Sequence, residues 1–322
     1  MNMRDRLDPE LVSTLEMIEK FTGGGLDLQD IPAARTLTKQ LSDIKKSQAM
    51  SIEGVTVEKR EVLSGEGEPD VPVMIFRPED SLGKLPALVW MHGGGYVIGT
   101  AEQDDLFTMS LAKSVGCVVV SVDYRLAPEC PFPKPLEDCY TALKWLSTHC
   151  DELNVEKSSI AIGGASAGAG LTAGLALLVR DRAEIELVFQ LLIYPMIDDC
   201  NVAPADENLP DTFIWNRACN LIGWGSYLGH EPGGKSVSPY AAAYRGEDLS
   251  GLPPAYIAVG ELDLFLTENI EYAQRLLQNG VPTELHVYPG AFHGFNGYVP
   301  EADVSKRFNL DFTNALKKAL FT

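Results

Sequence analysis

The feature of the sequence that most constrains the fold is an alternation, from about Val55 onward, of short apolar runs with helix-like stretches. Continuous apolar runs of strand length are typical of strands buried on both faces of a parallel sheet. Such strands alternating with helices indicate a sheet covered by helices. Two alternating strands are predicted first, at residues 55–62 and 71–78, and the apolar strands are predicted at 85–91, 117–122, 160–163, 188–194, 255–259 and 284–288. We therefore expect an α/β fold with a mostly parallel central sheet flanked by helices.

Two regions do not follow this alternation. Residues 1–46 predict two helices, around 9–21 and 32–46, with Gly23-Gly24-Gly25 as a hinge. A second segment, residues 200–235, carries a set of large apolar side chains: Phe213, Ile214, Trp215, Leu221, Ile222 and Trp224. These side chains either pack separately on the core or meet as a cap, and long insertions in α/β enzymes are often lids. We expect a helical cap from 1–46 and 200–235 on a catalytic domain of residues 47–322.

Composition excludes several classes of partner. The formal net charge is −19 and the pI about 4.6, so the surface repels phosphate backbones and no nucleic acid is expected to bind. No apolar run approaches the roughly 20 residues that span a bilayer, and acids interrupt the first eight residues, so we expect no membrane association and a cytoplasmic location. The six cysteines lack Cys-x-x-Cys and metal-ligand spacing, which predicts free thiols and no metal.

A candidate nucleophile stands in the sequence Gly164-Ala165-Ser166-Ala167-Gly168, the single Gly-x-Ser-x-Gly of the chain. It follows the predicted strand 160–163 and opens the helical run 169–179, which is the strand–turn–helix setting of a nucleophile elbow. Glycines on both sides let strand and helix approach closely, and the helix N-terminus favours a developing oxyanion. The alternative is a helix start that Ser166 merely caps. We predict Ser166 as the nucleophile.

A glycine-rich turn, His92-Gly93-Gly94-Gly95, follows the predicted strand 85–91. Bare backbone at the end of a central strand offers N–H donors to the oxygen of a tetrahedral intermediate. We predict that Gly94 and Gly95 form an oxyanion hole together with Ala167, the alternative being a turn that binds nothing.

The general base must follow the acid in chain order on a fold of this kind. Two of the five histidines, His286 and His293, follow a plausible acid. His286 lies inside the predicted strand 284–288, whereas His293 lies just beyond it, at the carboxyl edge where open α/β sheets place their sites. We predict His293 as the base.

Asp263 is the predicted acid, because it comes directly after the strand 255–259 at the same edge of the sheet. An aspartate hydrogen-bonded to the imidazole fixes its tautomer and stabilises the imidazolium formed during attack. Glu261 is the local alternative, and the pair Asp198-Asp199 is a distant one.

These motifs together resemble the hormone-sensitive-lipase-like esterases of the α/β-hydrolase fold. The resemblance runs from His92-Gly93-Gly94-Gly95-Tyr96 through Asp123-Tyr124-Arg125-Leu126-Ala127-Pro128-Glu129 and the Ser166 elbow to His293-Gly294-Phe295, and covers residues 55–320 or so. It implies hydrolysis of short to medium acyl esters, no cofactor, a cap, and frequent homodimers. The segment that begins at Asp123 is implied to brace the glycine loop.

The sequence departs from the family pattern at two places. Ala165 stands where an acidic residue often precedes the serine, and Asp263-Leu264-Phe265-Leu266-Thr267-Glu268 keeps only the first and last residues of the usual acid motif. Neither change touches a reacting group, so they bear on substrate preference. For the apolar substrate pocket we predict Tyr96, Phe213, Ile214, Leu221, Trp224 and Phe292.

Three functions are compatible with these residues. The first is a serine carboxylesterase that acts on a small ester. A hydrolase of amides or lactones, or an acetyl transferase, is a second, and a non-catalytic small-molecule receptor is a third. Receptors of this shape have typically lost a member of the triad, whereas this chain has candidates for all three.

Overall fold

The structure is a computed structural model that describes residues 3–22, 26–48, 52–65, 67–79, 81, 83–202 and 213–322. The strands are β1 Val55–Val62, β2 Val71–Pro78, β3 Leu85–Met91, β4 Val118–Val122, β5 Val155–Ala165, β6 Phe189–Ile193, β7 Ala255–Gly260 and β8 Thr283–Tyr288. The helices are α1 Pro9–Thr22, α2 Ile31–Gln48, α3 Asp105–Leu111, α4 Lys134–Thr148, α5 Ala167–Arg182, α6 Arg217–Leu228, α7 Leu266–Gln278, α8 Phe295–Tyr298 and α9 Asp303–Leu320. The predicted hinge Gly23-Gly24-Gly25 and residues 203–212 of the predicted cap lie outside the described residues.

These strands form one sheet in the order β1-β2-β4-β3-β5-β6-β7-β8. The pairs β1·β2 and β2·β4 are antiparallel, and every neighbouring pair from β4 to β8 is parallel. Every residue of β4, β6 and β7 is buried, as parallel strands covered on both faces should be. The predicted mostly parallel sheet flanked by helices is therefore confirmed.

The central strand β5 is longer than the sequence predicts. It begins at Val155 rather than residue 160 and continues to Ala165, one residue before the turn that carries Ser166. The extra residues at its start are largely polar and exposed, so a search for apolar runs overlooks them. Val155 nevertheless pairs with Leu85 of β3, which extends the sheet beyond its buried part.

The sheet separates two hydrophobic cores because successive side chains of a strand point to opposite faces. In β3, Val89 and Met91 join the core covered by α4, α5 and α7, whereas Leu88 and Trp90 join the core covered by α3 and α9. Helix α5 is buried without interruption from Ala167 to Val179. Its glycines and alanines let the helix lie close to the sheet directly behind Ser166.

Helices α1, α2 and α6 lie at the carboxyl ends of the strands. Helix α1 buries Leu11 and Leu15 in the same core as Phe292. Arg35 of α2 donates from Nε to the Val97 carbonyl, 2.8 Å away, in the loop after β3. Within the described residues, none of the helices combines the length and the apolar content that crossing a bilayer requires.

Candidate active site

Ser166 occupies a sharp turn between β5 and α5. Its backbone angles are φ 57° and ψ −121°, a conformation that residues other than glycine rarely adopt. The surrounding backbone holds it there: the Ser166 N–H donates to the Ile193 carbonyl at 2.9 Å, and its carbonyl accepts from Gly170 at 2.9 Å and Met196 at 3.1 Å. The strained turn is thus over-determined by its neighbours, as expected of a nucleophile elbow.

Neighbouring backbone lies so close to the two glycines of the elbow that no side chain fits at either position. A Cβ at Gly164 would overlap the backbone of Gly168, and a Cβ at Gly168 would overlap the carbonyl oxygens of Met91 and His92. Because these neighbours are backbone atoms, no side-chain rotation could make room. The sequence pattern Gly-x-Ser-x-Gly therefore has a direct steric cause in this chain.

The structure brings Ser166, His293 and Asp263 together in one hydrogen-bonded chain. His293 Nε2 lies 2.9 Å from Ser166 Oγ, and His293 Nδ1 lies 2.8 Å from Asp263 Oδ2. The three residues are 6%, 7% and 5% exposed. The other carboxylate oxygen of Asp263 accepts from the Phe265 N–H at 3.0 Å, which orients the carboxylate toward the imidazole. This arrangement can move the hydroxyl proton to the imidazole while the carboxylate supports the resulting charge.

Aromatic rings fix the plane of the His293 imidazole. Tyr194 and Phe265 meet it edge-on, with ring centroids 4.8 and 5.2 Å away. The Tyr194 hydroxyl donates to Asn296 Oδ1 at 3.1 Å, and burial raises the pKa of Tyr194, so this hydroxyl stays protonated. The imidazole is therefore held between an acceptor, a nucleophile and two rings.

The alternative acids and base have other partners. Glu261 pairs with Arg6 at 2.6 Å and accepts from the Gly290 N–H at 3.0 Å. His286 hydrogen-bonds Glu284, two residues before it on β8.

The pair Asp198-Asp199 is likewise engaged away from His293. Asp199 is bound by Arg245 at 2.5 Å and by the Gly233 N–H at 2.7 Å. The two aspartates and Cys200 have potential metal-ligand atoms within 4.8 Å of one another. The Asp199 carboxylate, however, is already neutralised by its ion pair with Arg245.

The glycine loop after β3 lies beside the nucleophile. A Cβ at Gly93 would be 3.4 Å from Ser166 Cβ, and the loop is closed by hydrogen bonds from the Val97 and Ile98 N–H groups to the Gly94 carbonyl, both 3.0 Å. Gly94 and Gly95 have φ of 132° and 57°, in the range of positive φ that favours glycine. Their N–H groups and that of Ala167 donate to no other described residue, so an oxyanion could accept from them. This role stays a prediction.

The segment that begins at Asp123 holds the glycine loop from behind. The Tyr124 hydroxyl donates to the His92 carbonyl at 2.7 Å, and Asp123 accepts from the Ala101 N–H at 2.8 Å. Ala127 donates to the Tyr96 carbonyl at 3.0 Å. These contacts are those expected of a segment that braces the loop.

The pocket residues predicted from the sequence do not form one surface. Tyr96, Trp224 and Phe292 are fully buried. Tyr96 stacks on Tyr227 at a centroid distance of 4.0 Å and donates from its hydroxyl to the Met196 carbonyl. The rings of these three residues pack within the core, and their part in a substrate pocket stays a prediction.

The remaining predicted pocket residues come from the segment before and within α6. Leu221 is 47% exposed, so it does not face the core. Phe213 and Ile214 pack in the core that contains Leu11 and Leu15 of α1. The sequence indicated that these side chains are apolar, but not which of them the fold covers.

A cavity of about 120 Å³ adjoins Ala165, the residue before the nucleophile. Its lining residues were not predicted from the sequence, and they come from α2, the 103–107 segment, α8 and the carboxyl ends of β3, β5 and β6. They include the apolar Trp90 and Phe107 and the polar Asp104 and Asn296. Ala165 contributes a small, uncharged side chain to this lining.

The fold and the Ser–His–Asp chain define a protein of the α/β class with a nucleophile elbow, and comparison with known proteins agrees. A family model described as the α/β hydrolase fold matches residues 88–297, and this chain belongs to that family. The chain is 32% identical over 321 residues to the carboxylesterase NlhH of Mycobacterium tuberculosis, covering 98% of this chain and 97% of the relative. An arylesterase of Saccharolobus solfataricus is 32% identical over 229 residues, 71% of this chain and 74% of that protein.

Solved structures of similar proteins agree with this assignment. A structure titled bacterial heroin esterase is 40% identical, with a TM-score of 0.94 over 100% of both chains. A hyperthermophilic esterase from the archaeon Pyrobaculum calidifontis is 32% identical, with a TM-score of 0.86 over 97% of this chain and 98% of the other. The resemblance to the hormone-sensitive-lipase-like esterases is thereby confirmed.

Proposed function

We propose that this chain is a serine carboxylesterase that hydrolyses short- to medium-chain acyl esters, with Ser166 as the nucleophile, His293 as the base and Asp263 as the acid. The observation that carries the proposal is the continuous chain of hydrogen bonds, 2.9 Å and 2.8 Å long, from the Ser166 hydroxyl to the Asp263 carboxylate. The names of the relatives, carboxylesterase, arylesterase and heroin esterase, support an ester as substrate.

Acylation begins when His293 Nε2 takes the Ser166 hydroxyl proton and Oγ attacks the ester carbonyl carbon. The carbonyl oxygen becomes an oxyanion, which accepts from the N–H groups of Gly94, Gly95 and Ala167. The carbon–oxygen bond to the alcohol then breaks, and the alcohol leaves with the proton from His293. Losing one donor of an oxyanion hole typically costs about 3–4 kcal/mol in the transition state.

Deacylation repeats these roles with water. His293 takes a proton from water, the hydroxide attacks the acyl carbon, and the oxyanion forms again. The acyl–Ser166 bond breaks, and the serine oxygen recovers its proton from His293 as the acid leaves. No step requires a metal or a cofactor, which agrees with the cofactor-free chemistry that the family resemblance implies.

We further propose that residues 1–46 and 200–235 form a cap on a catalytic domain of residues 47–322. Helices α1, α2 and α6 support this division, because each contacts loops that follow the carboxyl ends of strands. The Asp8 N–H donates to the Gly290 carbonyl at 3.0 Å, close to His293, and Arg35 contacts the glycine loop. Substrate would reach Ser166 between the cap and the sheet.

We also propose that the protein is cytoplasmic and forms a homodimer. All six cysteines lie within the described residues and each is free, which supports a reducing cytoplasm. The family resemblance supports a homodimer. Light scattering of the purified chain measures the assembly directly, and a mass corresponding to one chain would exclude the dimer.

The test of the activity is a panel of p-nitrophenyl esters of graded acyl length, with the matching anilide of one member. We expect turnover of the shorter esters, little of the anilide, and a loss of about a millionfold in kcat in Ser166→Ala. Equal ester turnover in Ser166→Ala would contradict the proposal. Faster turnover of the anilide than of its ester would favour an amide hydrolase.

A further inference from the structure

Trp215 lies directly against Gly95 of the glycine loop. A Cβ at Gly95 would overlap Trp215 Cη2 and would lie 2.7 Å from Cζ2 and 2.9 Å from Cζ3. The six-membered ring of the tryptophan is therefore in van der Waals contact with the glycine backbone itself. Gly95 has a φ of 57°, which glycine adopts without strain, so its own dihedral preference does not fix the direction of its N–H.

The orientation of the Trp215 ring is fixed by its own partners. The residue is 4% exposed, and its indole N–H donates to Asn220 Oδ1 at 3.0 Å. Asn220 is fully buried and donates from Nδ2 to the Asn201 carbonyl at 2.6 Å. The orientation of the indole is therefore fixed both by packing and by a directional hydrogen bond.

Helix α6 makes a second contact with the same glycine. A Cβ at Gly223 would be 2.9 Å from the Gly95 carbonyl oxygen and 3.3 Å from Trp215 Cζ2. Gly95 is thus enclosed by the Trp215 ring at its α-carbon and by Gly223 at its carbonyl. Close packing of this kind leaves the peptide little freedom to rotate.

We propose that Trp215 is a positioning residue for the oxyanion hole: by packing on Gly95, it holds the Gly95 N–H at the place where the oxyanion forms. The inference rests on the proposed esterase function. It assigns Trp215 to transition-state stabilisation rather than to substrate binding, and it makes the segment before α6 part of the catalytic geometry.

The first test is Trp215→Leu, assayed with a p-nitrophenyl ester. A displacement of a reacting group by about 1 Å can cost about 100-fold, so we expect kcat to fall 10- to 100-fold with little change in KM. A trifluoromethyl ketone, whose adduct with a serine carries an oxyanion, should lose affinity by the same factor. The methyl ketone of the same shape forms no stable adduct and should bind unchanged.

Trp145→Leu is the matched control, because Trp145 of α4 packs on His149, the residue after that helix, away from the loop after β3. It should keep the wild-type kcat and the wild-type affinity for the trifluoromethyl ketone. A folded Trp215→Leu that also keeps both values would overturn the inference.

A double-mutant cycle tests the contact itself. In the wild-type background, the methyl group of Gly95→Ala must displace the Trp215 ring, whereas in Trp215→Leu the same methyl group has room. The kcat lost on adding Gly95→Ala should therefore be at least 10-fold smaller in the Trp215→Leu background, although the strain of a positive φ remains in both. Independent, multiplicative losses would show that the ring does not act on Gly95.

Asn220→Ala supplies a second route if Trp215→Leu does not fold. It keeps the Trp215 side chain but removes its hydrogen-bond acceptor, so the ring is free to shift from Gly95, and kcat and trifluoromethyl ketone affinity should fall together by about 10-fold. If neither value changes in folded Asn220→Ala, the inference fails. Failure of the proposed function is a separate result: the wild-type chain would then hydrolyse no ester and would not react with a phosphonate at Ser166.

Discussion

Glu268 is a buried acid that ties helix α7 to the loop behind the nucleophile. It is 3% exposed. Its Oε1 accepts from the N–H groups of Ile197 at 2.8 Å and Asp198 at 3.2 Å, and its Oε2 accepts from Asn201 Nδ2 at 2.8 Å. The residue before Ile197 is Met196, whose N–H bonds to the Ser166 carbonyl. Removing the Glu268 carboxylate should therefore disturb both the stability of the fold and the nucleophile turn.

The size of the effect follows from the donors that lose their acceptor. Glu268→Ala leaves two backbone N–H groups without an acceptor and removes one of the two acceptors of the Asn201 amide, and a buried unsatisfied group costs about 1–3 kcal/mol. We expect a loss of about 3–6 kcal/mol in the free energy of unfolding, a large part of the 5–15 kcal/mol typical of a protein.

Glu268→Gln keeps an acceptor for the backbone but turns an amide toward Asn201 Nδ2, which also donates to the Leu264 carbonyl at 3.0 Å. Donor would then face donor, so we expect a loss of about 1–3 kcal/mol in the free energy of unfolding.

The stability difference between wild type and Glu268→Gln should depend on pH. Burial raises the pKa of Glu268 above its ordinary value of 4.5 in the folded chain, although its hydrogen-bond donors act in the opposite direction. The stabilisation linked to this proton is complete below about 4.5 and is lost as the pH rises through the raised folded-state pKa. Because glutamine does not titrate, the wild type should lose part of its advantage over Glu268→Gln between pH 5 and pH 8.

Urea unfolding followed by far-UV circular dichroism at these two pH values measures the effect. Glu271→Gln, on the exposed side of the same helix, is the control and should change the free energy of unfolding by less than about 0.5 kcal/mol. The reasoning would be refuted if Glu268→Ala were as stable as Glu271→Gln, or if the advantage of the wild type over Glu268→Gln grew with pH.

Other substitutions test separate parts of the structure. Asp263→Asn should keep the fold but lower kcat by about 10⁴, because an amide no longer fixes the imidazole tautomer; a loss below 10-fold in a p-nitrophenyl ester assay would contradict this. Gly168→Ala should cost about 3 kcal/mol or more in urea unfolding, since its methyl group meets backbone carbonyls, and unchanged stability would contradict the steric argument. Arg35→Met should cost about 2 kcal/mol, because Arg35 donates to the Val97 and Ala127 carbonyls and pairs with Glu129; an unchanged thermal midpoint would show that these contacts contribute nothing.

The arrangement of the sheet could be predicted because its strands are buried on both faces and so appear as uninterrupted apolar runs. The start of β5 could not be predicted, because residues 156–159 are polar and do not pack in the core. Ser166, Asp263 and His293 could be placed together because each follows a strand of a parallel sheet, and the carboxyl ends of such strands meet at one edge.

The surroundings of the nucleophile were much less predictable. The apolar character of a residue does not tell how far the fold covers its ring: Trp224, predicted to line an apolar pocket, is fully buried. Trp215 stood among the same apolar residues, but its contact with Gly95 depends on how closely α6 approaches the glycine loop. The cavity beside Ala165 is assembled from segments that lie far apart in the chain, so no single stretch of sequence indicates it.

The central claim is that the Ser166 hydroxyl is activated by His293. A p-nitrophenyl alkylphosphonate reacts with such a serine by losing p-nitrophenolate, and mass spectrometry of the digested protein locates the adduct. The claim predicts one adduct, on Ser166, formed in step with the loss of ester turnover and at least about 1000-fold more slowly in His293→Gln. Loss of turnover with the adduct on another residue, or equal labelling rates in wild type and His293→Gln, would contradict it.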